Sequence, residues 1–184
     1  MRVSDFDLVR RSRNGDHAAF RELVDRYARD LYGLAFALVG NAQDAEDVLQ
    51  ETFLGAFRQI AAFEERSTVK TWLSRILVKQ AARCHRSRGS RKTVSLDDLS
   101  EPGSATAGKR EAASSAGDYH VRLDVLETLA SLSPEHREVI VLRELQGMSY
   151  EEMADILCIP GGTVESRLFR ARRELRDRLK DYLE

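Results

Sequence analysis

No proline occurs before position 102 in this chain. Proline is the one residue that both fixes φ and lacks an N–H donor, so a stretch this long without it can be helical throughout. The apolar residues agree, because they recur at the helical period instead of alternating as in a half-buried strand. Phe20, Leu23, Val24, Tyr27, Leu31 and Leu34 share one stripe. Asp16 stands where an N-cap is needed, and Gly40 with Asn41 where the chain must leave the helix. A second helix is predicted over about 43–61. It buries Ala45, Val48, Leu49, Thr52, Phe53, Ala56 and Phe57, and it turns Asp44, Asp47, Gln50, Glu51 and Leu54 outward. A third runs over about 68–86 and packs through Trp72, Leu73, Ile76, Leu77 and Ala81.

From about residue 88 to 118 the composition shifts to Ser, Gly, Ala and Thr with scattered acids, including Pro102-Gly-Ser-Ala-Thr-Ala-Gly108. Such a stretch buries too little apolar surface to order itself. Helical spacing then returns with Val121, Val125 and Leu129, and Ser133-Pro134-Glu135 reads as N-cap, N1 and N2 of the next helix. The predicted architecture is therefore all-α, with two small helical domains over 1–92 and 119–184 joined by a flexible linker over 93–118.

Two cysteines, Cys84 and Cys158, lie far apart with no ligand partners at metal spacing, so neither a disulfide framework nor a zinc site is indicated. A reducing cytoplasm suits them, and a buried structural thiol is the expected state of each. The first residues contain no apolar leader, and no run approaches the ~18 apolar residues of a membrane span. Membrane insertion is not expected. His17, His85, His120 and His136 are scattered singly, and no nucleophile motif or phosphate loop accompanies them, so an enzyme and a bound cofactor are not expected either.

The net charge of -1 conceals segregation. Residues 66–92 carry nine Lys or Arg and no acid, whereas 44–65 carry six acids and one base. Two such surfaces suit different partners. The basic helix leaves Lys70, Arg75, Lys79, Arg83 and Arg86 over its outer surface, with Arg66 just upstream, and this arrangement can track a phosphate backbone. The polar loop at 63–69 beside it is the kind of place where an unstacked base is captured. Trp72 is expected in the core rather than as a stacking platform. The acidic helix repels DNA and suits a protein with basic residues around an apolar centre.

In the C-terminal part, Gly147 ends the helix that carries Val139, Ile140, Leu142 and Leu145. Ser149 and Glu152 make a capping box for a short helix through Leu157, and Cys158-Ile-Pro-Gly-Gly162 is a break. Thr163 is read as the cap of a last helix with Val164, Leu168, Ala171 and Leu175 inward. Glu165, Ser166, Phe169, Arg170 and Arg173 are left outward or on the flank. Two short helices joined by a tight turn are helix-turn-helix grammar, in which the second enters the major groove with its N-terminal residues on base edges. Arginines alone would equally fit the solvated face of a helical hairpin. Phe169 fits two arrangements: reaching a thymine methyl, or folding back against its own domain.

Five motifs in order, Asp16-His-Ala-Ala-Phe-Arg-Glu-Leu, Asp44-Ala-Glu-Asp-Val-Leu-Gln-Glu-Thr-Phe, Thr71-Trp-Leu-Ser-Arg-Ile, Leu132-Ser-Pro-Glu-His-Arg-Glu-Val and Gly162-Thr-Val-Glu-Ser-Arg-Leu-Phe-Arg-Ala-Arg, resemble the extracytoplasmic-function branch of the sigma-70 family. The resemblance spans nearly the whole chain. It implies a region 2 domain, a linker and a region 4 helix-turn-helix domain, and an alternative sigma factor that brings core RNA polymerase to promoter DNA. Asp44, Glu46, Asp47, Gln50 and Glu51 fall where the family meets the beta-prime clamp coiled coil, and the beta flap is a further implied contact. Loop 64–71 and the basic helix match the surface that melts and reads the -10 element. Thr163, Glu165, Ser166, Arg167, Phe169, Arg170 and Arg173 fall on the -35 recognition helix. An anti-sigma factor is implied as a partner.

This sequence departs from the family pattern at Val69, where Phe is frequent, at Lys79 for Asn and at Arg83 for Asp. Glu165 replaces a residue that is often basic, and an acid there can accept from a cytosine N4 amine. The competing reading is a stand-alone helix-turn-helix regulator. A sensor or dimerisation domain would need neither the basic helix nor the acidic one beside it.

Overall fold

The computed structural model describes residues 3–94 and 125–179, and among these it is all helical, with no strand. Helices α1 (Asp5–Arg13), α2 (His17–Val39), α3 (Ala42–Gln59) and α4 (Val69–Val94) form the N-terminal domain, with a 3-10 turn at Ile60–Ala62. The C-terminal domain comprises α5 over 125–131, α6 (Pro134–Ile140) running into a π-helical turn at Val141–Leu145, α7 (Tyr150–Leu157) and α8 (Gly161–Arg178).

Helix ends follow local chemistry. The Asp16 carboxylate accepts from the N–H groups of Ala18 and Ala19, the first of them at 3.0 Å. Gly40 closes α2 at φ +81°, a left-handed conformation that costs glycine nothing. Asn41 then serves as the N-cap of α3, so a single dipeptide ends one helix and starts the next. Ser133 caps α6 with Pro134 in its first turn, and Ser149 with Glu152 forms the capping box of α7 in both directions. The last helix departs from expectation: it starts at Gly161 with Pro160 as its N-cap, and the N–H of Thr163 donates to the Pro160 carbonyl. Thr163 is therefore inside the helix. The two glycines simply continue in helical conformation, which their sequence does not forbid.

The N-terminal core gathers Leu8, Val9, Leu23, Leu31, Leu34, Val48, Leu73 and Leu77, all almost fully buried, between α1, α2, α3 and α4. The predicted stripe of α3 is right at Ala45, Val48, Thr52 and Ala56, but Phe57 is 41 % exposed. It sits at the edge of the stripe, with its ring edge-on to Phe20 at 5.0 Å and 5.7 Å from His17. In the C-terminal domain Leu129, Val139, Ile140, Met153, Val164 and Leu168 are buried, while Val125 is 41 % and Leu145 55 % exposed. The π turn sets Leu145 outward, since five residues per hydrogen-bonded loop rotate it off the α-helical stripe. Val121 and most of the predicted linker lie outside the described residues. At the linker's start α4 continues helical through Val94, past the composition shift near residue 88.

The cysteines differ. Cys84 is half-buried, but Cys158 is exposed, contrary to expectation, because it occupies the left-handed residue that terminates α7 (φ 55°). No helix among the described residues is long and apolar enough to cross a membrane, and none of their His, Cys, Asp and Glu groups forms a metal-binding cluster.

The domains also touch each other. Helix α7 packs on α4, and α6 with the π turn packs on α2. Arg137, 7 % exposed, donates to the carbonyls of Leu129 (2.8 Å), Ala130 and Leu132 (3.2 Å) inside its own domain, and to Leu38 at the end of α2 (2.7 Å). His85 on α4 reaches the same Leu38 oxygen at 3.0 Å. A carbonyl only accepts, so the Nε2 of His85 carries the proton.

Candidate nucleic-acid interfaces

Helix α8 is held from below and open above. Val164, Leu168 and Ala171 bury its inner face. Arg172 fixes it to the π turn by donating from Nε (3.0 Å) and Nη2 (2.7 Å) to Glu144, and Glu174 accepts from His136 (2.7 Å). On the open side Glu165, Ser166, Phe169, Arg170 and Arg173 are all exposed. Phe169 is 70 % exposed, so of its two arrangements the outward one is realised. Together with Tyr150 these residues line a shallow groove of about 680 Å³. The Tyr150 ring is steadied by the Arg143 guanidinium 5.3 Å above it.

Not every residue singled out on α8 is free. Arg167 is largely covered and paired with Glu135 at 2.9 Å, tying α8 to α6. Thr163 is half-buried. Sequence spacing places both on the helix but does not reveal that Glu135, 32 residues upstream, claims the first of them.

On α4, Lys79, Arg83 and Arg86 are exposed and spaced so that they line one face. Lys70 and Arg75 are partly covered, and Arg66 is exposed and paired with Glu64 at 2.8 Å. The loop leading into α4 is shaped from a distance. Arg13 on α1 donates to the Ile60 carbonyl at 3.0 Å and to Glu65 at 3.3 Å, holding Glu65 at φ 58°. Sequence reasoning missed Arg13, because nothing local links it to a loop some 50 residues away. Trp72 is partly buried and stacks on Phe63 at 4.6 Å, with Phe6 beyond, as a core aromatic would. Val69 is 2 % exposed and faces the interior.

The acidic surface lies on α3, where Glu46, Asp47, Gln50 and Glu51 are exposed around Leu54, itself 40 % exposed. Asp44, expected to face outward with them, is instead mostly covered. It accepts from Asn41 (3.0 Å) and pairs with Arg88 of α4 at 2.9 Å. Behind it, burial pushes the Cys84 thiol above its usual range, and the neighbouring Asp44 carboxylate adds to the effect.

The family model for sigma-70 region 2 matches residues 23–91, and that for sigma-70 region 4 matches residues 122–175. The chain is 34 % identical to the RNA polymerase sigma-H factor of Pseudomonas aeruginosa, across 97 % of its own length and 95 % of that protein's. It is 36 % identical to the ECF RNA polymerase sigma-E factor of Escherichia coli K12 over the same shares. Among solved structures it resembles CnrH in complex with the cytosolic domain of CnrY, with TM-score 0.71 and 26 % identity over 96 % of this chain and 97 % of that one. It also resembles the sigma factor RpoE bound to the anti-sigma factor NepR from Bartonella quintana, with TM-score 0.70 and 30 % identity over 88 % and 96 %.

Proposed function

Since the chain belongs to the sigma-70 family of RNA polymerase sigma factors, in its extracytoplasmic-function branch, we propose that it is an alternative sigma factor. In this reading it docks on core RNA polymerase and selects promoters through two weak DNA contacts. The observation that carries the reading is the open face of α8. Glu165, Ser166, Phe169, Arg170 and Arg173 converge on one exposed surface of a helix whose other faces are pinned by Arg167 and Arg172. A helix held this way enters a major groove with its side chains already aimed.

We assign the -35 element to that face and the -10 element to the basic stripe of α4 with the loop before it. Lys79, Arg83 and Arg86 hold phosphates, while the loop takes an unpaired base. The acidic face of α3 meets the clamp of the polymerase beta-prime subunit through Glu46, Asp47, Gln50 and Glu51 around Leu54. Asp44 contributes by fixing Arg88 rather than by touching the partner. Neither small domain alone makes enough contacts for tight promoter recognition, so the free chain binds promoter DNA weakly, and docking on the polymerase sets the spacing of the two sites. The complex of RpoE with the anti-sigma factor NepR supports an anti-sigma partner for this chain as well.

The test is transcription in vitro from a promoter library, using purified core polymerase with and without the protein. Initiation that requires the protein and favours particular promoters is expected. Footprinting of duplex DNA by the protein alone, with no gain in polymerase selectivity, would replace this reading with the stand-alone regulator.

A further inference from the structure

The loop before α4 has firm ends and an unsupported middle. Phe63 and Val69 are buried at its two ends, and the Thr68 hydroxyl accepts from the Thr71 N–H at 3.1 Å where α4 begins. Between them, 64–67 make no backbone hydrogen bond among the described residues. Glu65 stands there at φ 58°, a left-handed conformation uncommon for a residue with a Cβ. Such a conformation persists only where the surroundings over-determine it. Here the surroundings come from α1. Arg13 donates through Nε to the Ile60 carbonyl (3.0 Å) and through Nη1 to Glu65 (3.3 Å), so one guanidinium grips the chain on both sides of Phe63. Phe6, also on α1, stacks on the Phe63 ring at 6.5 Å. The helix is itself fastened to α2, since Arg26 donates to the Val3 carbonyl (2.7 Å) and to Asp5 (2.8 Å). Helix α1 precedes the span 23–91 that the sigma-70 region 2 model matches.

Resting on the assignment of this loop to the -10 element, we propose that α1 is its brace and that Arg13 is a positioning residue for the choice of -10 base. A loop that takes an unpaired base discriminates best when its shape is set before the base arrives, because ordering it afterwards costs affinity for the right base. The Arg13–Glu65 pair lies near the surface, its side chains 27 % and 34 % exposed, so it adds little to global stability. Its effect falls on the loop instead. Without the pair, Glu65 leaves the left-handed region, and residues 66–68 turn with it. Arg13 acts through the Glu65 backbone, with no nucleotide contact of its own.

The test uses the full-length chain with core polymerase and two promoter libraries, one randomised at the -10 element and one at the -35 element. Arg13→Met should flatten the -10 preferences, lowering the ratio of favoured to disfavoured bases about three- to tenfold. The -35 preferences should stay as in the parent, which a general loss of folding would not allow. Adding Glu65→Gly to Arg13→Met should bring the -10 preferences back, because glycine takes a positive φ unaided. Adding Glu65→Ala should not. Unchanged -10 preferences in Arg13→Met overturn the proposal, as do -10 and -35 preferences that fall together. A double variant with glycine that does no better than the one with alanine overturns it too, since the backbone of Glu65 is then not what Arg13 controls. If the parent itself selects at -35 but not at -10, the DNA assignment of the loop fails, and the brace falls with it.

Discussion

Phe169 and Glu138 show how opposite environments give a side chain opposite roles. Phe169 is 70 % exposed on α8 and supports nothing beneath it. Phe169→Ala should therefore change stability by less than about 0.5 kcal/mol. Against promoters with thymine at the contacted position, it should lose about 1 kcal/mol, roughly fivefold in affinity. Transcription from a promoter pair differing only at that base would show it, and an unchanged ratio counts against the contact. Glu138 lies at the domain seam beside Arg137, Pro134 and His85. Burial pushes its carboxyl above the usual 4.5; attraction to Arg167 and Arg137 opposes this, while repulsion from Glu135 adds to it. A raised folded-state value means that the charged form is disfavoured on folding. The stability from this group is complete below pH 4.5 and is lost as pH rises through the folded value. Glu138→Gln should therefore melt at a higher temperature than the parent at pH 7, with the gap closing near pH 4. A gap of the same size at both values would rule out burial as the cause.

At the scale of elements, the helix boundaries rest on a few small groups. Gly40 sits at φ +81° with nothing within 4 Å of the position a Cβ would take. Gly40→Ala thus meets no clash, only backbone strain, and should cost about 1 kcal/mol in chemical denaturation. A cost well beyond that would point to a lost start for α3 as well. This boundary was legible in the sequence, as were Asp16, Ser133 and the Ser149–Glu152 box, because capping depends on residues three or four apart. The start of α8 was not, since a helix can begin at Pro160 or at Thr163 with nearly the same local hydrogen bonds. Phe57 was misjudged because periodicity gives the direction of a stripe and not its width. The residues of the two proposed DNA faces could be read from charge and spacing. Which arginines stay free could not, because their acidic partners lie far away in sequence: Glu135 for Arg167, Glu144 for Arg172 and Asp155 for Arg75.

For the whole molecule the decisive residue is Arg137. Its guanidinium satisfies three carbonyls around the α5–α6 connection and one at the end of α2, so it ties the C-terminal domain together and ties that domain to its neighbour. Removing it strands buried acceptors. Arg137→Met should cost at least about 3 kcal/mol in urea denaturation. Arg137→Lys keeps the charge but offers three donors for four carbonyls, so it should fall between the parent and Met. If Lys behaves as the parent does, the planar fork is not what matters there. Glu152 carries a related double duty. One of its carboxylate oxygens accepts from the Ser149 N–H at 2.9 Å, and the other accepts from Thr71 across the seam. The cap by itself is enough to hold this side chain, since both of its capping partners lie in the same turn of α7. Ordering a long flexible acid at an interface usually costs about 0.5–1.5 kcal/mol; here that loss is incurred when α7 folds, so the remote contact forms from a preorganised acceptor.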